Sequence, residues 1–379
     1  MTDYLKISDF LSPVSKSEIS LDQGFKDGQI GKVIDVFDED GLPNIENADI
    51  IFIGCGEQRG SGFQMNYGNG PDAIRKEFYS LYFWHQDIRL ADLGNLRQGE
   101  DLKDTYAALK TVIGELLNVN KLVVLLGGSH DLSLATYYAF EEKKSFIEVS
   151  NIDALIDINM DSDYRSDNFL MEMLTKEPNF VRHYNHIGFQ SYYVHPRMLE
   201  TMDKLRFDCF RLGTIKENIE EMEPVLRGSH LLSFDISALA FSCAPINTNS
   251  PNGFNGEEAC ALMRYAGMSP NMGAIGIYGY NPEKDQHNLT AKEISQMIWY
   301  LLDGRSRGRK EVDLNEKTSF NEYQIAFAEV NTIFLQSKKT GRWWMQLPDK
   351  KFIACSYKDY FQASHNEIPE RWLRAQERS

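Results

Sequence analysis

Six nearly unbroken apolar runs recur along the chain, each of strand length: ADIIFIGCG, DIRLADLG, KLVVLLGG, SFIEVSNIDA, HLLSFDIS and GAIGIYGY. A strand with one face in water alternates apolar and polar residues, so continuous apolar runs demand a sheet covered on both faces. The segments GPDAIRKEFYSLY, DLKDTYAALKTVIGELLNVN, LSLATYYAFEEKK and NGEEACALMRYAG lie between most of the runs and carry helical spacing. Strands and helices in this alternation predict an α/β protein with a largely parallel sheet. In such sheets ligands gather at the carboxyl ends of the strands, so the residues after each run matter most.

The helix signals refine this pattern. Pro71 suits a first helical turn, where its missing N–H has no partner to lose. In TAKEISQMIWYLLDG, Thr290 and Glu293 have the spacing of a capping box. Ile294, Met297, Ile298, Leu301 and Leu302 form its apolar stripe, and Gly304 is the expected stop.

Three regions are expected: a polar covering segment over 1–47, an α/β domain over 48–305 and a C-terminal extension over 306–379. In the extension, EYQIAFAEVNTIFLQSKKTGRWWMQLP reads as two strands joined by a KKTG turn, a hairpin-like unit. Its Trp343 and Trp344 suit packing against the chain or a subunit neighbour better than a ligand platform.

The formal charge of −15 argues against nucleic acid or an anionic membrane as partner, since both select clustered Lys and Arg. The first residues, MTDYLKISDFLSP, lack the charged start and apolar run of a signal peptide, and no stretch approaches about 18 apolar residues. A cytoplasmic protein with a small-molecule partner is expected. Its five scattered cysteines, free of CxxC pairs, read as reduced thiols.

Polar residues break the apolar pattern at three run ends: GGSHDLS, IDALID and SFDISALA. A lone strand-end histidine is usually structural, and aspartates four apart usually sit in a solvated loop or helix cap. Read as strand, IDALID places Asp153, Leu155 and Asp157 on one face. If the three strands are neighbours, His130, Asp153, Asp157 and Asp235 converge. Carboxylates packed so closely cannot all remain ionised, and a divalent cation resolves the conflict. One imidazole with three carboxylates suits Mn²⁺, while Zn²⁺ or Fe²⁺ also fit the ligand types.

The ordered motifs GPDAIR, GGSHDLS, IDALID and SFDISAL, followed by APINTNSPNGFNGEEA, resemble the ureohydrolase family of arginases, agmatinases and formimidoylglutamases. That family's motifs read GPxAIR, GG(D/G)H, DAHxD and SxDxDxxDP, and GGSHD is closest to the formimidoylglutamase-like branch. The resemblance covers about residues 48 to 305. It implies a three-layer α/β/α fold, a homo-oligomer and hydrolysis of a linear guanidine or amidine by water activated between two manganese ions. It assigns His130, Asp153, Asp157 and Asp235 to the first manganese, with Asp157 and Asp235 also expected to act in catalysis.

The second manganese of the family needs the histidine of DAHxD and the second aspartate of SxDxD, which are here Leu155 and Ser237. Leucine has no donor atom, and serine is a weak neutral ligand. The third acid of SxDxDxxDP is Ala240, and the family's amidine-binding glutamate is Gly279 in IYGYNP. A second register sets DINMD on the DAHxD motif, with Asn159 for the histidine; either register removes the imidazole.

The resemblance therefore implies a metal-dependent hydrolase of amidine or guanidine C–N bonds holding one metal. Its alternative is a degenerate member with a binding or assembly role. His183 and His186 read as strand residues rather than ligands, Arg75 as a structural ion-pair partner, and SPNGFNGEEA as a rim turn leading into a helix.

Overall fold

The computed structural model describes residues 7–20, 24–39, 41–63, 69–327 and 330–378. Residues 1–6 of the N-terminal stretch, residue 40 of the EDGLPN turn and residues 328–329 of the C-terminal run lie outside this set. Ten strands form the central sheet: β1 (Leu11–Ser12), β2 (Asp35–Val36), β3 (Ile50–Gly54), β4 (Leu90–Leu96), β5 (Leu122–Leu126), β6 (Ile147–Ile152), β7 (Val181–Phe189), β8 (Asp208–Arg211), β9 (Leu231–Asp235) and β10 (Ala274–Tyr278). Their order is β1-β4-β3-β5-β10-β9-β6-β7-β8, with β2 also paired to β4. Only β1 runs antiparallel to its neighbour.

The unbroken apolar runs are explained by two cores. Along β5, Leu122, Val124 and Leu126 enter one core while Val123 and Leu125 enter the other. The first core includes Ile74 and Phe78, Leu262 and Met263, and Ile294 and Met297, from helices Gly70–Tyr79, Gly256–Gly267 and Leu289–Gly308. The second takes Leu109 and Leu134 from helices Leu102–Asn118 and Leu132–Glu142. The result is the three-layer α/β/α arrangement. Full burial of such aliphatic side chains stabilises the fold by roughly 1.5–3 kcal/mol each.

Arg75 ties one helix to the sheet. Fully buried, it donates from Nε and Nη2 to the two oxygens of Asp92 at 2.8 Å each, and from Nη1 to Asp72 at 2.7 Å. The rim segment behaves as expected too: Asn255 and Glu258 cap the helix Gly256–Gly267 reciprocally.

Several local expectations are corrected. The helix Leu289–Gly308 has no Thr290–Glu293 capping box; the Thr290 and Ala291 amides donate to Asp285, at 3.0 and 2.9 Å. Gly304 lies inside that helix because two helices cross there: a Cβ on it would meet the Arg264 carbonyl oxygen at 2.1 Å. The C-terminal unit is a four-stranded antiparallel sheet, β11 (Phe320–Phe327), β12 (Val330–Ser337), β13 (Trp343–Gln346) and β14 (Phe352–Cys355), not a two-stranded hairpin. The run read as one strand folds back on itself, with Phe327 opposite Val330.

The extension docks at the N-terminal ends of the central strands. Buried Arg227, in the short helix that precedes β9, donates to the carbonyls of Trp343 at 3.1 Å and Cys355 at 3.3 Å and lies 4.5 Å over the Trp344 ring. Asp208, the first residue of β8, pairs with Arg374 at 3.0 Å and Arg378 at 3.1 Å. Both tryptophans are buried within the chain's own packing, as expected. No helix among the described residues is long and apolar enough to cross a membrane, and none of the five cysteines is in a disulfide.

Candidate metal centre

The carboxyl ends of β5, β10, β9 and β6 lie side by side in the sheet, and three of them deliver the chemically active residues. After β5 the chain is held by hydrogen bonds from the Gly127 amide to Ile277 O and from the Ser129 amide to Glu57 O, each 2.8 Å. These bonds fix the turn that presents His130. Asp235 is the last residue of β9.

Asp153 and Asp157 arrive differently from the strand reading, because β6 ends at Ile152 and the next residues form a bent loop. The Leu155 amide donates to Asp153 Oδ1 at 3.0 Å, a local turn that replaces strand alternation. The loop's curvature, not strand periodicity, aims both acids at His130.

His130 Nδ1 lies 2.8 Å from Asp157 Oδ2, 3.2 Å from Asp153 Oδ2 and 3.6 Å from Asp235 Oδ2. One donor atom each from His130, Asp153 and Asp157 falls within 4.8 Å of the others, with all three residues buried. Asp235 is the most exposed of the four, its side chain 14% accessible. The alternative register finds no support: Asn159 and Asp161 are exposed and outside this cluster.

The imidazole is held from behind. Its Nε2 lies 2.7 Å from Ser233 Oγ and 3.1 Å from Asn151 Oδ1. With Asn151 Oδ1 accepting, Nε2 carries the proton, and a neutral ring turns its Nδ1 lone pair toward the acids. Such an arrangement is repulsive unless a proton or a cation stands between. Burial works against a charged His130, yet Asp153, Asp157 and Asp235 outweigh it and hold the imidazole pKa well above its ordinary value. Burial, then the Asp153 charge, pushes Asp157 well above the carboxylate range. Burial, opposed by His130 but reinforced by Asp153, pushes Asp235 up to about 6. Asp153 goes the other way: its contacts with His130 outweigh burial and lower its pKa.

This donor set fits one divalent cation. It offers an imidazole nitrogen with a fixed tautomer and several carboxylate oxygens, of which Asp157 Oδ2 is buried without a hydrogen-bond partner. The opposite side of Asp153 does not fit a second one. There Oδ1 accepts from Ser237 Oγ at 2.5 Å as well as from the Leu155 amide, and Leu155 supplies no donor atom. The Ser237 amide also donates to Asp235 Oδ1 at 2.7 Å. Gly279 N donates to Gly128 O at 2.8 Å, and the Gly279 backbone is left-handed at φ +83°. A Cβ at this glycine would sit 3.1 Å from Asp235 Oδ2, so a larger residue here meets both backbone strain and the Asp235 carboxylate.

His183 and His186 are structural, as expected. His183 Nε2 pairs with Asp208 at 2.9 Å on the far end of the sheet. His186 is buried with Nδ1 2.9 Å from the Tyr184 hydroxyl and Nε2 3.3 Å from the Asp153 carbonyl oxygen, and burial lowers its pKa to about 4. His186 therefore supports the loop from below as a neutral ring. The residues that sequence reasoning missed are Asn151 and Ser233. The only signal was for Ser233, a polar residue between the apolar Leu232 and Phe234 of β9; Asn151 sits beside Ser150 in a strand that also carries Glu148, so nothing singled it out.

A sequence model of the arginase family matches residues 48–303. Formimidoylglutamase of Staphylococcus haemolyticus (strain JCSC1435) is 25% identical over 282 residues, which cover 69% of this chain and 89% of that protein. Formiminoglutamase of Trypanosoma cruzi, solved with Mn²⁺, shares the fold at a TM-score of 0.63 and 18% identity, covering 69% of this chain and 94% of that one. Formimidoylglutamase of Bacillus subtilis superposes at 0.65 with 19% identity, covering 74% and 94%.

Proposed function

The chain belongs to the arginase family, and from that premise we propose that it is a formimidoylglutamase-like hydrolase of linear amidine C–N bonds working with one metal ion, Mn²⁺ by preference. The observation that carries this reading is His130 Nδ1 set among the carboxylates of Asp153, Asp157 and Asp235. Those four residues would hold the ion. When bound, the ion supplies Lewis acidity, which makes water nucleophilic near neutral pH and offsets charge developing at the amidine.

The chain's own residues handle the rest. Water adds to the amidine carbon, the bond to the substrate's amine nitrogen breaks, and formamide and a free amine result. A proton must leave the water and reach the departing nitrogen. Asp157 and Asp235 are the acids assigned to carry it, and Asp235 is the more exposed of the two. Ser237 and the Leu155 amide hold Asp153 in place. With Gly279 where the family has its amidine-binding glutamate, strongly cationic guanidines such as arginine lose a counter-charge.

The unit assigned to this chemistry is residues 48–305, and residues 306–379 form an appendage remote from it. The working form in this reading is a cytoplasmic homo-oligomer. A second reading, a binding or assembly role without turnover, is favoured by one observation: Asp153 Oδ1 is already saturated where the family's second ion would need it.

The deciding experiment assays formimidoylglutamate, agmatine, arginine and guanidinobutyrate with Mn²⁺ for formamide, ammonia or urea. Formamide release from formimidoylglutamate, abolished by Asp235→Ala, is expected. Silence across the panel would favour the second reading.

A further inference from the structure

A pocket of about 490 Å³ lies at the carboxyl ends of β7 and β8 and under the rim loop; Gln190, Ser191, Arg211, Lys216, Ser242 and Asn252 are among its walls, and none of the four cluster residues is. Strand register places it within reach of the cluster. Arg211, the last residue of β8, stands opposite Phe189 of β7. The next residue, Gln190, donates its amide to Ala154 O at 3.0 Å, one residue after Asp153. Two strand spacings, on the order of 10 Å, separate β8 from β6. An extended arginine side chain and a linear substrate bridge that gap together.

Most polar groups around the pocket are already engaged with each other. Gln190 Nε2 donates to Asn252 O at 3.0 Å, and Gln190 Oε1 accepts from the hydroxyls of Tyr192 at 2.5 Å and Ser250 at 2.8 Å. Lys216 is neutralised by Glu258 and donates to Gly253 O at 3.2 Å. Arg211 and Ser191 are the exceptions: both are exposed, and among the described residues neither side chain makes a hydrogen bond or ion pair. An unpaired guanidinium at the mouth of a site is notable in a chain of net charge −15. Its planar fork matches a carboxylate through two parallel hydrogen bonds, and a serine hydroxyl can add a third.

Resting on the amidine-hydrolase reading, we infer that this pocket is a carboxylate subsite. Arg211, assisted by Ser191, engages the acid end of an amino-acid amidine while the amidine itself reaches the metal cluster. The subsite makes Arg211 a specificity-determining residue. The site selects substrates by an anion at the far end, in place of a cation clamped near Gly279.

The test compares formimidoylglutamate with the N-formimidoyl derivative of propylamine, an uncharged amine substituent, on the Mn²⁺-loaded protein. Arg211→Gln is expected to raise KM for formimidoylglutamate at least tenfold with little change in kcat, to leave the propylamine derivative unaffected, and to be partly rescued by Arg211→Lys. Calorimetric titration with L-glutamate gives a readout independent of turnover, and binding is expected to weaken by a similar factor in Arg211→Gln. Arg211-dependent glutamate binding without turnover on either compound would uphold the subsite while the hydrolase reading fails. Turnover with the same KM in Arg211→Gln, or an equal penalty on both substrates, would overturn the subsite and leave the hydrolase reading standing.

Discussion

The two oxygens of Asp153 look onto two different environments. Oδ2 faces His130 Nδ1 at 3.2 Å, in a buried group of acids that lacks enough positive charge. Oδ1, on the other side of the same carboxylate, accepts hydrogen bonds from Ser237 Oγ and the Leu155 amide. The first environment is frustrated unless a proton or a cation enters it, whereas the second is satisfied by the chain itself. Closely packed carboxylates raise one another's pKa values, and a metal relieves them. A carboxylate oxygen with neutral donors already aligned loses those bonds if an ion takes their place. In the proposed one-metal reading, Leu155 and Ser237 leave this side of Asp153 as ordinary protein interior.

The sharpest way to break the comparison is to remove the imidazole. His130→Ala should abolish metal retention and lower turnover by about a thousandfold or more, since the Lewis-acid contribution amounts to several kcal/mol. Metal content after gel filtration and initial rates measure both effects. Turnover surviving in the metal-free variant would mean that the chemistry lies elsewhere.

A smaller effect separates the ring's support from the saturated side. Ser233→Ala removes the partner 2.7 Å from His130 Nε2 and should weaken Mn²⁺ binding by roughly 10- to 100-fold, as loss of a ligand's supporting hydrogen bond does. Ser237→Ala, on the other side of Asp153, should change Mn²⁺ affinity by only a few-fold and lower stability by about 1 kcal/mol. Competition with a fluorescent chelator and denaturant titration separate the two. Equal affinity losses in both variants would erase the distinction drawn between the sides.

Much of this was legible in the sequence. Apolar runs buried on both faces have no solvent-facing alternation to confuse them, so β3, β5, β9 and β10 could be read directly. So could the helices beginning near Pro71 and Asn255. The edges were not legible. Leu11–Ser12 and Asp208–Arg211 are too short to carry a period, and DCFR looks like any loop. From Tyr323 to Val330 the sequence has no Gly, Pro or Asn, so no turn chemistry announced the pairing of β11 with β12.

At the site, the four polar residues at strand ends were visible because an apolar strand has no other use for them. Their geometry was not. Periodicity put Asp153, Leu155 and Asp157 on one strand face, while a side-chain-to-amide bond to Asp153 bends them into a loop. Gly304 marked a helix crossing instead of a helix end, since a missing side chain serves both purposes. Asp285 took the capping role expected of Thr290, because a carboxylate aligned with two adjacent amides outcompetes one hydroxyl.

The central claim is that this chain has kept one ion site and closed the other. It is tested most directly by counting manganese in protein loaded with excess Mn²⁺ and freed of unbound ion, using elemental analysis against protein concentration. The account predicts about one Mn²⁺ per chain in the native protein and a rise toward two in the double variant Leu155→His with Ser237→Asp. Two ions per chain in the native protein, or none, would contradict it.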